Sequence, residues 1–195
     1  MMMSGPKSLN FVDLPRSFPE VCLLSNGRYS VMLTASGRGY SALKGMDVTR
    51  WREDVTCDCW GQYCYIRNLD DGRVWSVGRQ PLGRDADHYE AILHPDRAKI
   101  RRRDGKVETC YEVAVSSDVD AEVRRVTLTN SSDRVCKLEV TSYAEIALSP
   151  RRADQAHPAF AKLFLETEYH AASGALLCLG GHALTISRRY GLSTR

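Results

Sequence analysis

The chain has 195 residues and a net charge of +3 from 27 basic and 24 acidic side chains, long enough to bury a core of its own and too nearly neutral for a nucleic-acid binder. Its seven cysteines are odd in number and scattered, and no apolar segment follows Met1-Met2-Met3; nothing suggests secretion, and reduced thiols in the cytoplasm are the expectation. No run approaches the roughly 18 apolar residues of a spanning helix, so no direct membrane span is expected.

Residues 1–20 carry Pro6, Pro15 and Pro19 among polar neighbours and read as a leader or linker. From Cys22 the chain breaks into short apolar runs separated by turn residues: Cys22-Leu23-Leu24, then Ser25-Asn26-Gly27, then Tyr29 to Thr34, then Gly37-Arg38-Gly39, then Tyr40 to Leu43. An Asn-Gly between two such runs is a strong hairpin signal, because both turn positions tolerate positive φ.

The next stretch concentrates the chemistry of the chain. All three tryptophans, Trp51, Trp60 and Trp75, lie between Thr49 and Gln80, interleaved with Arg50, Arg52, Glu53 and Asp54. An indole beside charged forks suits a pyranose, which offers an apolar C–H face to stack and a rim of hydroxyls to hydrogen-bond. Arg50, Trp51, Arg52, Asp54, Trp60, Trp75 and Gln80 are therefore the candidate substrate-binding residues. The competing reading packs the same tryptophans in a sheet core with the arginines paired at its edge. Cys57, Cys59 and Cys64 are spaced C-x-C-x4-C with no fourth ligand nearby, so they read as small strand residues and no metal site is expected.

Further on, Val107, Thr109, Tyr111, Val113 and Val115 alternate with a second set of residues, the mark of a strand with one buried face. Asp104-Gly105 turns the chain before it, and Ala98 to Arg103 forms the other arm of a hairpin. Alternation splits Arg101-Arg102-Arg103 between two faces and suggests a solvated strand edge. Glu122 to Thr129 is a further strand with Arg124, Val126 and Leu128 on one side, and Cys136, Leu138, Val140, Ser142 and Ala144 form the next inward row. Phe160, Leu163 and Phe164, in the stretch from Ala159 to Glu168, suit a helix or a buried strand. About ten strands at intervals of 8 to 12 residues predict an all-β, antiparallel sandwich with few or no helices.

No G-x-S-x-G, phosphate loop, dinucleotide fingerprint or H-E-x-x-H pattern occurs. Neighbouring acids such as Glu53-Asp54 point to opposite faces if extended, and Asp70-Asp71-Gly72 reads as a hairpin turn. Glycoside chemistry runs on two opposed carboxylates, and no catalytic residue is assigned.

The chain nevertheless resembles one family at Leu23-Leu24-Ser25-Asn26-Gly27-Arg28-Tyr29, Gly37-x-Gly39-Tyr40-Ser41, Thr49-Arg50-Trp51-Arg52-Glu53-Asp54, Val74-Trp75-Ser76 and Gln80-Pro81. Collinear matches continue at Asp120-x-Glu122-Val123-Arg124-Arg125-Val126-Thr127-Leu128-Thr129-Asn130, at Glu139-Val140-Thr141-Ser142-Tyr143-Ala144-Glu145, and from Asp154 through His157-Pro158 to Glu168. Together they resemble the N-terminal β-supersandwich domain of family 94 glycoside phosphorylases, formerly glycosyltransferase family 36, and most closely that region of cyclic β-1,2-glucan synthases.

The resemblance covers residues 19–170 and implies a galactose-mutarotase-like supersandwich over 21–178, with 179–195 a divergent tail from truncation or a frame shift. It implies inverting phosphorolysis of β-glucosides with inorganic phosphate as co-substrate and no other cofactor. The acid and most sugar contacts belong to an (α/α)6 barrel that follows the sandwich, so this chain alone is expected to be inactive. Implied partners are a β-linked glucan or oligosaccharide, the missing barrel and, in the full-length family, a second copy of the protein; inner-membrane association applies only within a full-length synthase. The alternatives are a standalone β-glucan-binding module and a non-functional truncated product.

Overall fold

The computed structural model describes residues 9–12, 20–52, 60–180 and 185–189. Its strands run β1 (Leu9–Val12), β2 (Val21–Ser25), β3 (Tyr29–Thr34), β4 (Gly39–Leu43), β5 (Met46–Thr49), β6 (Tyr63–Asn68), β7 (Val74–Ser76), β8 (His88–Leu93), β9 (Arg97–Asp104), β10 (Val107–Val115), β11 (Glu122–Asn130), β12 (Leu138–Tyr143) and β13 (Ile146–Pro150). Two short helices, α1 (Arg151–Ala156) and α2 (Pro158–Lys162), lead to β14 (Glu166–His170), β15 (Ala175–Leu179) and β16 (Thr185–Arg189). Every strand pairing is antiparallel, in sheets ordered β1-β8-β9-β10-β11, β12-β6-β7, β13-β5-β4-β3-β2 and β14-β15-β16. The expected all-β sandwich is the one observed.

The turns form for local reasons. Asn26 Oδ1 accepts from Arg28 N at 3.0 Å and Tyr29 N at 2.8 Å, while Gly27 takes φ +87°, so the side chain closes the β2–β3 hairpin. Alternation then sets the faces. On β10, Val107, Thr109, Tyr111 and Val113 are buried, and Val107, Tyr111 and Val113 join Leu24, Val31 and Leu33 of the third sheet and Ile66 and Trp75 of the second in one core. Gly39 is required at β4 because a Cβ there would lie 1.9 Å from the Met32 carbonyl oxygen. Gly39→Ala is expected to abolish a cooperative melt, or to lower its midpoint by more than 10 °C, in a calorimetric scan.

Tyr89 ties the first sheet to the third, its O–H donating to the Ala35 carbonyl at 2.7 Å. Burial pushes this phenol far above its ordinary value, with Arg79 and Arg102 opposing. The folded chain thus keeps the proton to higher pH than the unfolded chain, whose tyrosine titrates near 10. The stabilisation is complete below about pH 10 and is lost as pH rises toward the folded value. Urea titrations should show stability falling from pH 9 to 11, and less steeply in Tyr89→Phe.

Several expectations are corrected. The Arg101-Arg102-Arg103 run lies inside the first sheet, between β8 and β10, and not on a solvated edge. Arg102 is 1% exposed, donating to the carbonyls of Ser76 (2.9 Å) and Gly78 (2.7 Å) and forking onto Asp104. The expected inward row on β12 is buried only in part: Leu138 packs on the core, whereas Val140 is 48% exposed opposite the buried Ile66. β12 ends its three-stranded sheet, so its inner row is covered from one side only. The stretch 159–168 is neither one helix nor one buried strand, since α2 gives way to β14 and leaves Phe160, Leu163 and Phe164 exposed. Within the segment read as a leader, β1 pairs with β8; within the segment read as a tail, β16 pairs with β15.

Candidate functional site

Arg50 follows β5 directly, and its side chain turns inward. The guanidinium grips Asp154 of α1 through Nε, 2.8 Å from Oδ2, and through Nη2, while Nη1 donates to Glu145 Oε2 at 2.9 Å. Arg50 and Asp154 are 2% and 4% exposed. The Asp154 hydrogen bonds raise the Arg50 pKa against the opposing effect of burial, with Glu145 adding to them. One turn earlier, Arg151 donates from Nη2 to Asp47 Oδ1 at 2.8 Å, and its Cζ lies 4.3 Å from the Tyr40 ring centroid. A six-residue helix has little stability of its own, so these two ion pairs hold α1 against the third sheet.

The next two residues stack on neighbouring rings. Trp51 packs on Tyr40 with centroids 5.5 Å apart, and Arg38 Cζ lies 5.7 Å from the indole. Arg52 Cζ lies 5.2 Å from the Trp60 ring. Trp60 opens into a notch of about 220 Å³ lined by Arg50, Gly61, Tyr143 and Glu145. Tyr143 is 46% exposed, and its O–H reaches Glu145 Oε1 at 3.3 Å; Lys162 Nζ lies 3.7 Å from Glu145 Oε2.

A buried polar network anchors the chain that carries Trp60. Gln62 Nε2 donates to Ser41 Oγ (2.7 Å) and Thr49 Oγ1 (3.1 Å), and Ser41 Oγ donates to Glu122 Oε2 at 2.8 Å. Arg124 completes it, donating to Glu122 Oε1 (2.9 Å) and to the Tyr111 hydroxyl (2.6 Å). Burial works against the Arg124 charge, but Tyr111 and Glu122 more than offset it and raise its pKa. Gly61, at φ +153°, is tightly set: a Cβ there would lie 3.0 Å from Gly39 N and 3.1 Å from Gly39 O, closer than ordinary contact.

Of the seven residues expected at a sugar site, the structure brings Arg50 and Trp60 to the notch, with Arg52 against Trp60. Trp75 is corrected: it is 2% exposed in the core, its Nε1–H donating to Thr109 Oγ1 at 3.4 Å, where no sugar reaches it. Gln80 does not line the notch; its backbone N–H bonds the Ser36 carbonyl, and the Gln80–Pro81 peptide is cis. Asp54, Cys57 and Cys59 lie outside the described residues. Cys64 is buried, which pushes its thiol up to about 11, and no metal-ligating cluster occurs among the described residues. Sequence reasoning passed over Tyr143, Glu145, Asp154 and Lys162. Their one signal was membership of the collinear motifs after Glu139.

The chain has relatives among known proteins. The family model described as glycosyl hydrolase 94, supersandwich domain, matches residues 12–181. Cyclic beta-(1,2)-glucan synthase NdvB of Rhizobium meliloti (strain 1021) is 40% identical over 149 residues, 76% of this chain and 5% of the relative. N,N'-diacetylchitobiose phosphorylase of Vibrio furnissii is 26% identical over 163 residues, 81% of this chain and 20% of the relative. Solabiose phosphorylase of Paenibacillus borealis is 30% identical over 147 residues, 72% of this chain and 17% of the relative. The chain thus spans a fifth or less of the length of these relatives.

Proposed function

The chain belongs to the glycosyl hydrolase 94 supersandwich family, and we propose from that premise that it is the carbohydrate-contacting sandwich of a protein acting on β-linked glucans. The observation that carries this reading is the 40% identity, over three quarters of the chain, to a cyclic β-1,2-glucan synthase. The aromatic-lined notch supports it. Among the described residues, the acids at and behind the notch are engaged otherwise: Glu145 and Asp154 both hold the Arg50 guanidinium. Bond cleavage is therefore assigned to a further domain, and the chain by itself binds without turning over. That domain is the proposed partner of the exposed apolar side chains Phe160, Leu163 and Phe164, given how much of each relative lies beyond the match.

Calorimetric titration with β-1,2-linked glucooligosaccharides tests the reading. One stacked ring and a few solvated hydrogen bonds give an expected Kd on the order of millimolar. No heat at tens of millimolar sugar, from protein that melts cooperatively, would sink the proposal. Incubated with glucan and inorganic phosphate, the chain is expected to release no glucose 1-phosphate.

A further inference from the structure

We infer that the notch between Trp60 and Tyr143 is a subsite for one neutral hexose unit, with Trp60 as the stacking platform and Tyr143, Glu145 and Lys162 as the hydroxyl-binding rim. This rests on the β-glucan reading above and assigns it to particular atoms. The size fits first: about 220 Å³ falls below the roughly 300–1,000 Å³ of a full ligand cleft, so the notch takes one ring of a longer chain.

The rim carries both donors and acceptors, which suits a polyol. Beside the notch, Arg50 bonds Asp154 and Glu145, Lys162 lies 3.7 Å from Glu145, and the Arg52 guanidinium lies over the indole, so each described carboxylate already faces a cation. Hydroxyls, which both donate and accept, can join donor and acceptor groups of the rim alike. Both rim contacts to Glu145 are loose. The Tyr143 hydroxyl sits 3.3 Å from it and the Lys162 ammonium 3.7 Å, beyond hydrogen-bond range, so each can turn to a sugar hydroxyl while Arg50 keeps the carboxylate in place.

The platform is held before the sugar arrives. Arg52 lies over the Trp60 ring, and Gln62, two residues on, is fixed by Ser41 and Thr49. A platform ordered in advance reduces the entropy cost of binding.

The test is calorimetry with the β-1,2-linked glucose disaccharide on the wild-type chain and on Trp60→Ala, Tyr143→Phe and Gln80→Ala, each checked for an unchanged melting profile. Trp60→Ala is expected to weaken binding about tenfold and Tyr143→Phe about threefold, the scale of one aromatic contact and one net hydrogen bond; Gln80→Ala should match wild type. Sugar should also shield tryptophan fluorescence from acrylamide in wild type, and this protection should disappear in Trp60→Ala. If wild type binds and both notch variants bind equally well, the subsite is wrong and the β-glucan reading survives. If wild type does not bind, both fall together.

Discussion

Asp154→Ala is expected to lower the unfolding free energy by about 3–5 kcal/mol, the usual cost of removing one partner from a buried ion pair. The change takes away the three hydrogen bonds from Arg50 Nε and Nη2 and leaves Glu145, which is partly exposed, as the remaining carboxylate on a side chain that is 1% exposed. Arg50 cannot escape by losing its proton, because arginine stays charged throughout the accessible pH range. Urea unfolding is the measurement. A second variant separates loss of the charge from loss of packing: Arg50→Met with Asp154→Leu removes both charges and should recover most of the deficit. A loss below about 1 kcal/mol in the single variant would show that water reaches the pair and that α1 is not held there.

Trp75→Ala is the second large effect, again about 3–5 kcal/mol, from the lost transfer energy of a large ring and the cavity it leaves. Trp75, on β7, bonds Thr109 of β10 in the one core shared by three sheets. The contrast with Trp60→Ala makes this result diagnostic. Trp60 is only partly buried, so its removal should cost stability far less, under about 1 kcal/mol, while acting on sugar binding. Matching losses of stability in the two variants would place Trp60 in the core as well and remove it as a platform.

These two experiments fall on the residues where sequence and structure part company. The arginine and tryptophan window, read as one candidate sugar surface, has members with divided roles. Trp75 went to the core and Trp60 to the notch, although both lie in the same kind of sequence. Arg50, expected to meet sugar, is used up by Asp154 and forms the floor instead. Arg102 shows the same effect away from the site: alternation placed it on one face of β9, and only the neighbouring sheet supplied the Ser76 and Gly78 carbonyls that bury its charge.

By itself the sequence determined strands such as β3 and β10, the buried face of β10 and the Asn26-Gly27 hairpin, because side-chain alternation and turn chemistry are settled within a few residues of the chain. The tertiary structure alone decided which tryptophan is buried and which carboxylate meets which guanidinium. Asp154 lies 104 residues from Arg50, and Glu145 lies 95. Burial and ion pairing depend on what folding brings alongside, and no local pattern around Arg50 or Trp60 encodes that neighbour.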